Sequence, residues 1–442
     1  NAGKITINTG GKLSVLNRGG IFSAIDATGV GNSNGIKIDA GELDIANQSS
    51  IQTPTSQAKL VKDKGNAGDI TISTNGNLTI IGTNNSSDSG VSGINSSSVG
   101  AGDAGKVTIN TQGNKLFLSN RAAIFSAIKE GVGNSKGVKI DTGDLNLTNG
   151  SAISTGNVGG LGNAGDVVIT SKGKIDIVDS IGISSFNFGL GKAGNISLTS
   201  NKLNLNKSPV LTNSFFGSGG DLKLDIKDYL LLRNNSAITT NSASQRKNGN
   251  GGNITIDSPL IVALPGNNDI SANAFQGSGG KVNITSQGLF GIKFRPKGQD
   301  SLFTNDITAS STFGQSGTVN ISTPGTDPGK DSTVLPNVPT DASNQIAQAC
   351  GASRENKFIV AGRGGLPSNA NDPLTSDVVW QDARGTNSQP TASSATTDPT
   401  KLAPPATGLV FDGKGKATLI AAGTQGQPTG TSVVCPTNVV RK

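Results

Sequence analysis

The chain has 442 residues, 37 Lys and Arg against 30 Asp and Glu for a net charge of +7, no histidine, two cysteines, one tryptophan and 62 glycines. Without histidine, Ser-His-Asp, Cys-His and His-ligated metal chemistry are excluded over this length. The basic excess is spread along the chain without the run of like charge that a nucleic-acid tail carries, so no nucleic-acid partner is expected.

With 4% aromatics, a core cannot be built on bulky anchors and must use many small Ile, Val and Leu contacts. The material for that is phased from the first residue. The chain opens on NAGKITINT, and related strings begin at Gly65 (GNAGDITIST), Gly102 (GDAGKVTINT), Gly162 (GNAGDVVITS), Gly191 (GKAGNISLTS) and Asn250 (NGGNITIDS). In each, glycines make a tight turn and an alternating strand follows. The first apolar residue of that strand recurs as Ile5, Ile36, Ile70, Val107, Val138, Val167, Ile196, Leu222, Ile254, Val282 and Val319, the expected core stack. A second follows two positions on in all eleven copies, from Ile7 to Ile321. Intervening residues such as Thr6, Lys37 and Thr71 are polar or Thr, as an outward face requires.

Six to nine residues later a second short strand is marked by Leu43/Ile45, Leu78/Ile80, Leu116/Leu118, Leu145/Leu147, Ile175/Ile177, Leu203/Leu205 and Leu230/Leu232. A third, rich in Ser and Thr, is placed around Ile25, Ile51, Ile94, Ile128, Ile153, Ile183, Leu211, Ile238, Ile270 and Ile307. Landmarks spaced by 26 to 37 residues fit one coil plus a variable loop after the third strand. Helical repeats of this period would show apolar residues at i, i+3 and i+4, a pattern absent here. The expectation is an all-β parallel β-helix over residues 1–323: about eleven coils of three short strands forming three parallel sheets, on the order of 50 Å long at about 4.8 Å per coil.

Two finer expectations follow. The residues before the landmarks (Lys4, Gly35, Asp69, Lys106, Gly137, Asp166, Asn195, Asp221, Asn253, Lys281, Thr318) should lie one coil apart, with Asp69 facing Lys106 and no like charges adjacent. The many turn asparagines should tolerate left-handed backbone and stack into amide ladders. A longer echo, RGGIFSAIDATGVGNSNG from Arg18 against RAAIFSAIKEGVGNSKG from Arg121, reads as duplication of two coils, and so as selection for length.

After Pro324 the alternation stops. Residues 324–341 are Pro-rich, an extended linker or a strand over the last coil; solenoids need such caps. Residues 342–442 read as a capping or anchoring region: a short helix with Ile346 and Ala349, a strand at Phe358–Val360, a turn-rich loop, the sole Trp380, a low-complexity stretch, and a hairpin turning on Asp412–Gly415 within GLVFDGKGKATLI. Cys350 and Cys435 bracket this tail. In an exported chain their separation favours a disulfide, with two free thiols as the alternative.

Chemistry is sparse: no catalytic residue, cofactor site or metal site is expected. β-Helices that cleave polysaccharides use clustered carboxylates on one face, and Asp69, Asp166 and Asp221 are separated by Lys or Asn coils. The string GSGGDLKLD at Gly217 matches the calcium-binding nonapeptide only once, where tandem copies are needed, and reads as an ordinary turn. No stretch of about 18 apolar residues offers a membrane helix. The start in mid-repeat suggests a cut end, with any export signal upstream.

At this point the coils, GxAGxIxIxT with GxLxL and SxIxT strands, resemble the repeats of filamentous-haemagglutinin-type exoproteins of two-partner secretion, in the cyanobacterial version called S-layer family proteins. The tail CGASRENKFIVAGRGGLPSNANDPL with VVWQDAR resembles the C-terminal region of the same proteins. The resemblance implies a right-handed parallel β-helix, export through an outer-membrane secretion pore, an extracellular or outer-surface location and an adhesive or surface-layer role. The secretion domain by which such proteins engage the pore is not in this sequence. The leading expectation is a surface fibre working as a homo-oligomer or filament. The alternative is an adhesin for cell-surface polysaccharide using the loops Asn84–Val99, Phe186–Leu190 or Gln245–Gly251, and a polysaccharide-cleaving enzyme stands third.

Overall fold

Period-two alternation obliges each glycine-led strand to bury one face, and the computed structural model buries it against the equivalent strands of the coils before and after. The structure describes residues 1–26, 29, 31–56, 65–83, 92–243, 249–297, 299, 301–324, 408–411 and 417–420, and among them every regular element is a strand. Pairing is parallel and in register: Ile5 with Ile36, Ile36 with Ile70, Ile70 with Val107, Val107 with Val138, and so on to Val282 with Val319. The inner members of this column, Ile36 to Val282, are at most 2% exposed. Among the described residues Ile5 and Val319 have a neighbouring rung on one side only, and both are half-buried. The result is a parallel β-solenoid of about nine closed turns between two half-open end rungs, where eleven coils were expected.

The second strands stack as anticipated, in the column Leu13, Leu43, Leu78, Leu116, Leu145, Ile175, Leu203, Leu230, Ile261 and Leu289. The expectation of three separate sheets is corrected. First and second strands share one 17-stranded sheet, and the third strands form a 12-stranded sheet. The cause is visible in Ile5–Val15, Ile36–Ala46, Ile196–Asn206 and Leu222–Arg233, which run through both positions without a break. At the corner the register shifts, between Thr9 and Lys12 in one coil and Ser200 and Lys202 in another. Such a bulge bends the strand and re-phases the alternation, so that Ala40 and Leu43, three residues apart, both point inward.

The third ladder departs from the sequence reading at three positions. Its apolar column is Ile21, Ile51, Ile94, Ile124, Ile153, Ile183, Val210, Ile238, Ile270 and Ile307. Ile25 and Ile128 sit four residues later, in the column of Thr55, Ser98 and Asn157, and Leu211 is the outward neighbour of Val210. Between the two inward columns runs a third made of hydroxyls: Ser23, Thr53, Ser96, Ser126, Thr155, Ser185, Thr212 and Thr240, all buried. They tie the strand to the glycine turns. Ser126 Oγ donates to the Gly105 carbonyl at 2.7 Å, Thr212 Oγ1 to Gly220 at 2.7 Å and Thr240 Oγ1 to Gly252 at 2.7 Å. Each removes a buried unpaired carbonyl that would cost about 1–3 kcal/mol. The Ser/Thr signature of the third strand is therefore an interior feature.

The chain divides into two units, Asn1–Ser332 and Thr333–Lys442. In the second, Gly408–Phe411 pairs antiparallel with Ala417–Ile420, Gly408 opposite Ile420, which is the expected hairpin. The expected helix at Ile346, the strand at Phe358–Val360, Trp380, the Pro-rich stretch and the Cys350–Cys435 bridge lie outside the described residues.

Candidate interaction surface

Two faces of the solenoid carry groups that do more than fill the core. The first is the glycine-turn face, where the expected amide ladders are realised in a specific form. Each Asn or Asp accepts the backbone N–H of its counterpart one rung on: Asn32 from Asn66, Asn66 from Asp103, Asp103 from Asn134, Asn134 from Asn163 and Asn163 from Lys192, at 2.8–2.9 Å. Three residues later a parallel ladder runs through Asp69 to Lys106, Asp166 to Asn195, Asn195 to Asp221, Asp221 to Asn253 and Asn253 to Lys281, at 2.7–3.0 Å.

The stacking of Asp69 on Lys106 is therefore present, but its contact is carboxylate to backbone N–H. Among the described residues, the ammonium paired with that carboxylate is Lys136 Nζ at 4.0 Å. These ladders line a shallow groove of about 490 Å³ between Asn163 and Gly252. The other asparagine row turns the corner into the third strand: Asn17, Asn47, Asn120, Asn149 and Asn234 all have φ of 52–58°, the left-handed region that Asn tolerates. Asn47 Nδ2 donates to Asn17 Oδ1 at 3.0 Å, and Asn149 repeats this on Asn120 at 3.2 Å.

A test separates charge from hydrogen bonding in the Asp166 ladder. Asp166→Asn is expected to leave stability unchanged, because an amide oxygen accepts the Asn195 N–H equally well. Asp166→Ala is expected to cost about 0.5–1.5 kcal/mol in a denaturant titration. Equal losses in both variants would show that the charge matters.

One carboxylate pair on one face is Asp269 and Asp306, neighbours across adjacent rungs in a groove of about 170 Å³ shared with Asn267, Ser271, Asn273 and Thr308. Their contacts are structural. Asp306, 2% exposed, takes hydrogen bonds from Arg295 Nε at 2.5 Å, the Ser301 N–H at 2.8 Å and Thr304 Oγ1 at 3.0 Å, and Asp269 Oδ1 accepts the Asp306 N–H at 3.0 Å. The pair pins Arg295, Ser301 and Thr304 to the last turns. At the lone calcium-like string, Asp221 Oδ1 accepts both the N–H and the Nδ2 of Asn253, so it is one more member of the ladder. Other outward charges pair along a single strand: Lys37 with Asp39 at 2.8 Å and Lys174 with Asp176 at 2.7 Å. Hydrogen bonding to Asp176 and its charge raise the Lys174 pKa above the ordinary lysine value.

The second face is apolar. Of the three loops proposed as ligand-binding, residues 84–91 and 245–248 lie outside the described residues, and Gly93–Val99 belongs to a strand of the third ladder rather than to a loop. Phe186–Leu190 is described in full. Phe186 and Phe188 point outward on either side of buried Asn187, and Phe215 and Phe216 lie on the next rung. Ring centroids are 5.3 Å apart for Phe186–Phe188, 6.4 Å for Phe188–Phe215 and 5.2 Å for Phe215–Phe216. Phe188, Phe215 and Phe216 are 45%, 47% and 39% exposed.

The row continues toward the N-terminus with Leu190, Leu161, Val158 and Val132, each about half exposed; Val132 bridges Leu161 as a rung pair. The loops that carry these groups are held from inside. Asn157 Nδ2 donates to the carbonyls of Gly160 (3.2 Å) and Gly162 (2.9 Å), and Asn187 Nδ2 to those of Gly162 and Lys192 (both 2.9 Å). Asn187 Oδ1 accepts the Gly189 N–H, and Ser214 Oγ accepts the Gly217 N–H.

Sequence reading marked the Phe186–Leu190 loop but missed Val132, Val158, Leu161, Phe215 and Phe216. A signal was available: Val132, Leu161, Leu190 and Phe216 each directly precede the glycine that opens the turn, Gly133, Gly162, Gly191 and Gly217.

Among the described residues no group of three or more His, Cys, Asp or Glu is placed to hold a metal ion, and no helix is long and apolar enough to cross a membrane. Comparison with protein-family models, with curated proteins and with solved structures finds no match.

Proposed function

We propose that the chain is a secreted or cell-surface structural fibre protein, a rigid rod of the filamentous-haemagglutinin exoprotein kind that associates with copies of itself after export through an outer-membrane pore. The observation that carries the reading is the unbroken column from Ile36 to Val282. Each turn is buried by its neighbours, so the sequence invests in reach, and the Asn and Asp oxygens of the glycine-turn groove hold rung to rung. The resemblance of the repeats and tail to surface exoproteins supports the outer location. An adhesin for surface polysaccharide is the second reading, favoured by the exposed phenylalanines.

The test is immunogold electron microscopy of intact cells together with negative staining of the purified chain. Label on the outer surface and rods lying side by side are expected. Label confined to the cell interior would overturn the proposal.

A further inference from the structure

Five Asn-Gly pairs occur in the chain. Those led by Asn34, Asn75, Asn149 and Asn250 lie within the described residues, and the one led by Asn248 does not. An asparagine followed by glycine is open to a spontaneous reaction, because glycine has no Cβ to shield its backbone nitrogen and lets the chain fold back on the side chain. The glycine nitrogen attacks the side-chain amide carbon, which closes a five-membered succinimide and expels ammonia. Water then opens the ring to aspartate or isoaspartate. The reaction needs a glycine N–H free of hydrogen bonding, a side-chain amide free to approach it, and water at the site.

The four described pairs meet these conditions unequally. At Asn250 both partners are engaged: its Oδ1 accepts the Ser278 N–H at 2.8 Å, and the Gly251 N–H donates to the Ser278 carbonyl at 2.9 Å. At Asn149, Nδ2 donates to Asn120 Oδ1 at 3.2 Å and the Gly150 N–H to the Asp179 carbonyl at 2.7 Å. Asn34 is exposed, but Gly35 is buried and its N–H reaches Ser33 Oγ at 3.4 Å. Gly35 is also wedged in place, with φ at +87° and the Asp69 carbonyl oxygen of the next rung 2.4 Å from where a Cβ would stand.

Asn75 differs from all three. It is exposed, on the bend between the strands Ile70–Thr74 and Leu78–Ile81, and Gly76 is half-buried. Among the described residues, neither its side-chain amide nor the Gly76 N–H has a hydrogen-bond partner, while the groups around them do. The Asn75 N–H donates to the Ala40 carbonyl at 3.1 Å, the Asn75 carbonyl accepts Asn114 Nδ2 at 2.8 Å, and the Gly76 carbonyl accepts Thr74 Oγ1 at 2.7 Å.

We propose that Asn75 is a site of spontaneous covalent modification in the folded protein, converting through a succinimide with Gly76 to aspartate or isoaspartate, with water as co-reactant and ammonia as the leaving group. Isoaspartate adds a methylene to the main chain between the two hydrogen bonds that hold Asn75. Either product places a carboxylate on a corner where Glu42 already lies, its Cγ 2.8 Å from the Cβ position of Gly76.

The test is peptide mapping by mass spectrometry of the folded full chain, incubated in mildly alkaline buffer made with heavy-oxygen water, beside the same chain held in denaturant. Each conversion leaves one heavy oxygen in the residue, and circular dichroism checks that the native sample stays folded. In denaturant the four pairs are expected to convert at similar rates. In the folded chain Asn75 is expected to convert at least about tenfold faster than Asn34, Asn149 and Asn250, which must first open locally. Gly76→Ala, whose Cβ shields the attacking nitrogen, is expected to slow Asn75 and leave the other three unchanged. An Asn75 that stays intact in the folded chain, or a rate at any of the other three that matches it, would overturn the assignment. An unchanged Asn75 rate in Gly76→Ala would rule out ring closure through the Gly76 nitrogen.

Discussion

Replacing Ile140 with aspartate is expected to remove about 4 kcal/mol or more and to divide the solenoid into two separately unfolding blocks. Ile140 has no solvent exposure and lies between Ile109 and Ile169 in the first-strand column. The substitution forfeits about 1.5–3 kcal/mol of apolar burial and places a carboxylate where no donor faces it, which adds the cost of an uncompensated polar group. In a solenoid each turn is stabilised by its two neighbours, so the loss is felt as a broken interface between turns.

The pH dependence has a definite sign. Burial would lift the new carboxyl's folded-state pKa above its unfolded value, so the penalty is smallest below the unfolded pKa and grows as pH rises toward the folded one. Ile140→Val, which removes one methylene, is expected to cost about 1 kcal/mol and to leave unfolding in a single step. Denaturant titration with limited proteolysis distinguishes them: two protected fragments are expected from the aspartate variant and none from the valine variant. Identical behaviour of the two would mean that the column is not the structural core.

The first and second ladders were legible because their inward positions are mostly Ile, Val or Leu, usually twice per strand, so the alternation fixes both face and register. The third strand gives one apolar residue and then a hydroxyl on the same face, as in Ile124 followed by Ser126 and Ile183 followed by Ser185. With half the apolar signal missing, any Ile flanked by Ser or Thr satisfies the pattern. In the two duplicated coils Ile25 and Ile128 satisfy it as well as Ile21 and Ile124 do. The merging of two sheets into one was not legible, since a strand that continues through a bulge and one that stops at a corner share the same composition.

The apolar row was only partly visible for a different reason. Its members come from loops of unequal length on successive rungs, and only the registry of the rungs brings Leu161, Leu190 and Phe216 into one line. Sequence distance between them, 29 and then 26 residues, gives no hint of adjacency until the stack is built.

The same registry makes one backbone position intolerant of any side chain. At Gly162 φ is +140°, and a Cβ there would lie 1.9 Å from the Gly133 carbonyl oxygen of the preceding rung. Gly133 in turn crowds Gly102 in the same way, and Gly191 crowds Gly162, so the carbonyls approach glycine after glycine along the corner. Gly162→Ala must therefore strain the residue's own backbone and push two rungs apart. The Gly162 carbonyl is also the acceptor for both Asn157 and Asn187, so a shift there loosens two buried amides and the aromatic loops they hold.

A loss of about 3–4 kcal/mol is expected. Gly159, three residues earlier in the same loop, is the matched control: its nearest atom to an added Cβ is the Lys129 carbonyl oxygen at 3.8 Å, and its φ lies outside the left-handed region. Gly159→Ala should be neutral or slightly stabilising, since alanine narrows the unfolded ensemble without a clash. Denaturation midpoints of the two variants should then differ in opposite directions from wild type or by the full effect in one alone. If Gly162→Ala unfolded at the wild-type midpoint, the close stacking of successive turns at this corner would be wrong.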